Sequence, residues 1–183
     1  MSDEQKAIET VLDFLNDDTK KTLLVRGYDS DAKIRVVLYC LDRVFDRGII
    51  RTSSMSDIPN FINRALEERH LPDTVKSTTA YDLGRMTVHI NSYVTSTKFN
   101  PKGNDSTFTL FFPVQTVLSN SKRYNNFLTE LENTKSRKVI LITTNEWSIN
   151  DWDVENYVDE VFFYSVEEDN PQIMRNLRNN GAI

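Results

Sequence analysis

A glycine that ends a short apolar strand, followed by a lysine at the start of a helix, is an arrangement suited to receiving a phosphate. The segment Leu23-Leu24-Val25-Arg26-Gly27-Tyr28-Asp29-Ser30-Asp31-Ala32-Lys33-Ile34 has this shape. The glycine allows a tight turn, amides at the helix start face an anion, and the lysine adds positive charge. The full pattern is a glycine, four free residues, a second glycine, a lysine and a hydroxyl residue. Gly27 and Lys33 stand at that spacing, while Ala32 replaces the second glycine and Ile34 the hydroxyl. Ile34 cannot coordinate Mg²⁺. Asp29 and Asp31 place two negative charges where a polyphosphate would lie. At ~4 Å each like-charge contact costs on the order of 1–4 kcal/mol, depending on the local dielectric. Two readings stand side by side: a phosphate-type loop that has lost function, and an ordinary polar strand-to-helix loop with Lys33 in solvent.

The surrounding elements must position this loop. Residues 3–16 carry Ala7, Ile8, Val11, Leu12 and Leu15 at helical spacing behind Ser2 or Asp3 as cap. Residues 21–26 read as a strand stopped by Gly27, and residues 32–46 as a helix closed by Gly48 in the left-handed position after its end. A second strand is expected at 49–54. Ser56 or Asp57 then caps a helix with Pro59 in its first turn. Residues 79–98 alternate in the strand manner around Gly84 and read as a hairpin or an added edge strand, with 100–106 as a loop, so 79–106 is an inserted segment. Strands follow at 108–112, 139–142 and 161–164, with a helix at 121–133 and a short helix within 147–158. Asn170-Pro171 opens a last helix, supported by the acidic run Glu167-Glu168-Asp169 and ended by Gly181. Strands alternating with helices predict an α/β fold, a three-layer sandwich with a mainly parallel five-stranded sheet plus the hairpin. Ligands in such sheets bind beyond the carboxyl ends of the strands.

The loop around Gly27 and Lys33, in this alternating order, resembles the P-loop nucleoside triphosphatases, most closely their AAA-type branch. The resemblance implies a single domain over residues 1–183, with a vestigial nucleotide site formed by Gly27, Lys33 and Asn145. Asn145 would be the polar sensor that follows the strand Val139-Ile140-Leu141-Ile142; the alternative is a turn-and-cap role there. In the family a second buried strand ends in a metal-holding acid. The matching strand here ends Phe112-Pro113-Val114-Gln115, with no Asp or Glu from Ser106 through Thr129. Phosphoryl transfer needs that metal to neutralise charge, so no useful hydrolysis is expected. The resemblance therefore implies a non-catalytic binding or assembly subunit, an enzyme in form only, without catalytic residues, metal or cofactor, and with weak ATP binding at most. The alternative is an atypical ATPase in which Lys33 binds phosphate and Asp29 or Asp31 recruits a metal.

The chain of 183 residues, 39% hydrophobic and 27% charged, is long enough for one sizeable core and too short for two. No apolar run reaches the ~18 residues that span a bilayer, which together with the polar start Met1-Ser2-Asp3-Glu4 predicts a cytoplasmic protein without membrane contact. A single cysteine, Cys40, excludes an internal disulfide and reads as a core residue. His70 and His89 show no ligand spacing to each other or to Cys40. The net charge of -5 gives no global reason to bind nucleic acid. Lys122, Arg123, Lys135, Arg137, Lys138, Arg175 and Arg178, with Tyr124, Trp147 and Trp152 nearby, leave weak nucleic-acid binding as a further alternative. The expected partner is a protein, met through 79–106 or the former nucleotide face. By fold analogy the setting is a nucleic-acid-processing or defence complex, with nucleic acid reached through that complex.

Overall fold

The computed structural model describes residues 1–95, 101–114, 120–144, 146, 149 and 152–183. Helix α1 (Asp3–Asn16) begins with a reciprocal box. The Ser2 hydroxyl accepts from the Gln5 N–H, and the Gln5 side chain accepts from the Ser2 N–H. Strand β1 (Thr22–Arg26) follows, then α2 (Ser30–Val44), β2 (Arg47–Thr52) and α3 (Ile58–Leu66). A hairpin of β3 (Ala80–Leu83) and β4 (Met86–Ser92) leads to β5 (Thr107–Phe111), α4 (Ser121–Asn133) and β6 (Lys138–Ile142). A 3-10 turn at Val154–Tyr157, β7 (Glu160–Phe163) and α5 (Pro171–Asn179) complete the order. No helix among the described residues is long and apolar enough to cross a membrane.

All seven strands join one sheet in the order β3-β4-β2-β5-β6-β1-β7. Every pairing is parallel except β3 with β4. The fold is thus α/β, but the expectation of five strands and a separate hairpin needs correction. Strand β4 runs beside β2 from Arg47↔Thr87 to Thr52↔Ser92, so it belongs to the sheet, and β3 forms its antiparallel edge. The physical reason lies in the alternation of β4. Met86, Val88 and Ile90 are buried in one cluster with residues of α2 and α3, a position that β4 reaches by pairing with β2, which also completes its backbone ladder.

Successive strand residues face opposite ways, which divides the core in two. Leu23, Val25, Ile140 and Ile142 pack with residues of α1, α2, α3 and α5. Leu24, Val139 and Leu141 pack instead with Phe127 and Leu131 of α4 and with Val154. Strands β5 and β6 are buried along their whole length, as expected for parallel strands covered on both sides.

Two further expectations, on Gly48 and on the acidic run, differ from what is found. Gly48 does not close a helix. It lies in β2, where an added Cβ would stand 2.1 Å from the Phe108 ring, and α2 ends at Val44 with Phe45 as its extended C-cap. Glycine is needed here for space, and a left-handed turn is not involved. The short helix expected within 147–158 is present among the described residues as the 3-10 turn at Val154–Tyr157, and residues 147, 148, 150 and 151 lie outside the described ones. Asp153, which would cap that turn, makes no cap bond; its carboxylate accepts from the Tyr124 hydroxyl at 2.5 Å. The acidic run serves α1 more than α5. Asp169 accepts from the Glu4 N–H at 2.7 Å, while Asp3 accepts from the N–H groups of Glu168 (2.7 Å) and Asp169 (3.0 Å).

Gly48→Ala should force the Phe108 ring aside and lower stability by about 1–3 kcal/mol, the usual cost of overpacking. Urea unfolding of the two proteins measures this directly, and an unchanged midpoint would contradict the packing described.

Candidate functional site

Strands β1 and β6 are neighbours, but their carboxyl ends lead to opposite faces of the sheet. β1 feeds α2, whose residues pack in the first cluster, and β6 leads towards Val154 in the second. Such a divergence opens a crevice at the sheet top, where α/β proteins place ligands. Here the crevice is filled from within the chain. Lys33 is 1% exposed, and its ammonium donates to the carbonyl of Gly27 (2.6 Å), the carbonyl of Thr143 (2.5 Å) and the Thr143 hydroxyl (3.2 Å). Lys33 thus joins the end of β1 to the end of β6. It is neither solvated nor turned towards an open cradle.

The local chain explains this placement. Only Gly27, Tyr28 and Asp29 separate β1 from α2, so Lys33 already lies inside the helix. Asp29 caps α2, its carboxylate accepting from the Ala32 N–H at 3.0 Å while its carbonyl accepts from the Lys33 N–H at 3.1 Å. The other oxygen of Asp29 accepts from the Asn170 side chain at 3.2 Å. Asp31 pairs with Arg64 at 3.1 Å. The two aspartates that sequence places against a phosphate are therefore engaged in a helix cap and an ion pair. Gly27 has φ +139°, and a Cβ there would meet the Tyr164 carbonyl oxygen at 2.5 Å, so no other residue fits this turn.

The main residue missed by sequence reading is Glu146, 7% exposed. One carboxylate oxygen accepts from the Gly27 N–H (2.8 Å) and the Thr143 hydroxyl (3.1 Å). The other accepts from Arg26 Nε (3.1 Å) and its terminal nitrogen (2.8 Å), a two-pronged pair. Arg26 also reaches Glu155 at 2.8 Å. Glu146 therefore occupies the Gly27 amide, the group expected from the sequence to face an anion. Its only signal in the sequence is an acid just after an apolar strand. Asn145, the expected sensor, lies outside the described residues. The structure brings Gly27 and Lys33 together, but through a carbonyl, which repels anions.

Burial pulls the Lys33 ammonium down to about 8, against the opposing pull of Glu146 and Asp29. Ile34 is 1% exposed in the core, so no hydroxyl stands after the lysine. Beyond β5, Phe112 and Val114 are buried and apolar. Among the described residues no three of His, Cys, Asp and Glu converge as a metal group. His70 pairs with Glu68 at 3.2 Å, and His89 is exposed on β4. Cys40 is fully buried, and burial pushes its thiol up to about 12.

The basic residues do not act as one group. Lys138 is 2% exposed and donates to the carbonyls of Phe14 (2.8 Å), Asp17 (2.6 Å) and Lys20 (2.5 Å), closing the end of α1. Arg137 is exposed and lies over the Phe45 ring at 4.5 Å, while Arg178 pairs with Glu167. Lys122, Arg123, Lys135 and Arg175 are exposed. Trp152 packs against Tyr124 at 5.4 Å within the core, and Trp147 lies outside the described residues.

No protein-family model and no curated protein matches the chain.

The geometry predicts two outcomes. Glu146→Ala leaves Arg26 and the Gly27 amide without their buried acceptor and should cost about 3 kcal/mol, read from denaturant unfolding. Lys33 is charged in the unfolded chain up to its ordinary 10.5 but loses its proton near 8 when folded. The unfolded state then binds more protons across that window, so the Lys33 contribution makes stability rise between pH 8 and 10.5. Unfolding at pH 7.5 and 9.5 should show this gain in the wild type and its loss in Lys33→Met.

Proposed function

We propose that this chain is a non-catalytic binding and assembly subunit on a P-loop NTPase-like framework, its phosphate position closed by its own side chains. The observation that carries the reading is the Lys33 ammonium held between the carbonyls of Gly27 and Thr143. An incoming phosphate would have to break these bonds, expel Glu146 from the Gly27 N–H and sit among main-chain oxygens. Breaking two buried hydrogen bonds without replacing them costs several kcal/mol. Buried Ile34 and the apolar run after β5 support the same reading, because neither supplies oxygen ligands to Mg²⁺.

The retained framework would then serve as a scaffold. Apolar packing on both faces of the sheet favours a three-layer sandwich over residues 1–183. Two edge strands offer surfaces to a protein partner. One is β3, within the 79–106 segment, and the other is β7. On β7, Val161 and Phe163 are 41% and 44% exposed, unusual for apolar residues on an edge strand. A protein covering this edge would bury both.

Isothermal titration with ATP and Mg²⁺ tests the reading. Binding no tighter than millimolar, with no hydrolysis, is expected. Micromolar binding that disappears in Lys33→Ala would overturn it and favour the atypical ATPase.

A further inference from the structure

Beside the closed crevice lies a separate opening. A cavity of about 300 Å³ sits at the carboxyl ends of β2, β5 and β6, the edge of the sheet where α/β proteins bind ligands. Lys33 and Gly27 are not among its lining residues, but Ser30 at the start of α2 and Thr144, next to the Thr143 that Lys33 binds, are, so the cavity adjoins the closed position without including it. Its described lining combines an apolar wall with a hydroxyl-rich rim. The wall is Phe61 packed edge-on against Phe112 at 5.6 Å, and the rim holds Ser53, Ser54, Asp57 and Arg64.

One polar group on this rim is unusual. The Ser53 hydroxyl is buried and has no hydrogen-bond partner. Buried polar groups are nearly always satisfied, so a hydroxyl left open beside a cavity points to a polar molecule that completes it.

We propose that this cavity binds a neutral, polyhydroxylated ring: a pentose or hexose, free or as the sugar of a nucleoside. The charge pattern selects the class. Among the described lining residues Arg64 is the one cation, and it is already paired with Asp31 at 3.1 Å, while Asp57 adds a negative charge held by the Ser54 hydroxyl at 2.8 Å. A phosphate would meet the Asp57 carboxylate and a guanidinium already neutralised by Asp31. A sugar meets matching groups. Its hydroxyls both donate and accept, as Ser53 requires, while Asp57 accepts and Arg64 donates. The aliphatic face of the ring covers the Phe61–Phe112 wall. The volume sits at the lower end of the range for small-ligand sites, which suits a single ring.

Saturation-transfer NMR and titration calorimetry with ribose, glucose and adenosine test this. At least one should bind with a dissociation constant below about 10 mM. Adenosine binding without ribose binding assigns a nucleoside, and the reverse assigns a free sugar. Ser53→Val should weaken binding about tenfold or more while leaving the melting temperature unchanged or higher, because that hydroxyl has no partner to lose. Phe61→Ala should weaken it similarly by removing the wall. The proposal fails if none of the three saturates by about 10 mM, or if neither variant changes the affinity.

Discussion

A buried ammonium needs oxygen around it, and the position of Lys33 follows from that need. Its charge is withdrawn from water, and only two main-chain carbonyls and one hydroxyl replace the lost hydration. Those carbonyls belong to Gly27 and Thr143, at the ends of adjacent parallel strands. The distance between the loops after β1 and β6 is therefore fixed by one side chain. Glu146 fixes it a second time from the opposite side, through the Gly27 amide and the Thr143 hydroxyl. The two charges never bond directly. They hold the same two residues by complementary groups, the cation by carbonyls and the anion by an N–H and an O–H. Glu146 is held in addition by the Arg26 guanidinium, so the anion keeps a charged partner of its own.

The sequence makes the elements legible but not this lock. Helix α4 covers 121–133, as its spacing of Tyr124, Phe127, Leu128 and Leu131 predicts. The strand at Lys138–Ile142 follows from an apolar run too short for a helix. These are local patterns, and they survive folding because burial on two faces demands them. Glu146 answers to residues 119 and 120 positions away, and no periodicity carries such a relation. Lys33 misleads for a different reason. A lysine after a glycine turn suggests an anion or solvent, yet a loop of three residues swings the helix start so close that the side chain folds back inside. Gly48 misleads likewise, because a glycine shortly after a helix suggests a cap, and only the position of Phe108 on a neighbouring strand reveals the need for space. Asn145 belongs to the residues of which the structure gives no description.

Filling one part of an α/β crevice with the chain's own side chains leaves the rest of the sheet top intact. The strands still end together, and the helices still begin there. On one side Lys33 and Glu146 fill the space between β1 and β6. On the other, β2 and β5 end in serines and aromatics around an open volume. The same architecture thus contains a sealed position and an accessible one, side by side at the end of β6.

The two clamps on α1 have a consequence for the chain as a whole. At one end Asp3 and Glu4 exchange hydrogen bonds with Glu168 and Asp169, some 165 positions away. At the other end Lys138 holds the carbonyls that α1 leaves open, from 124 positions away. The first helix is thereby sewn to both later parts of the sequence. If the backbone were cleaved in a surface loop between α1 and β6, the two fragments would remain associated. The protein is accordingly a natural candidate for division into complementing halves that reassemble when co-expressed.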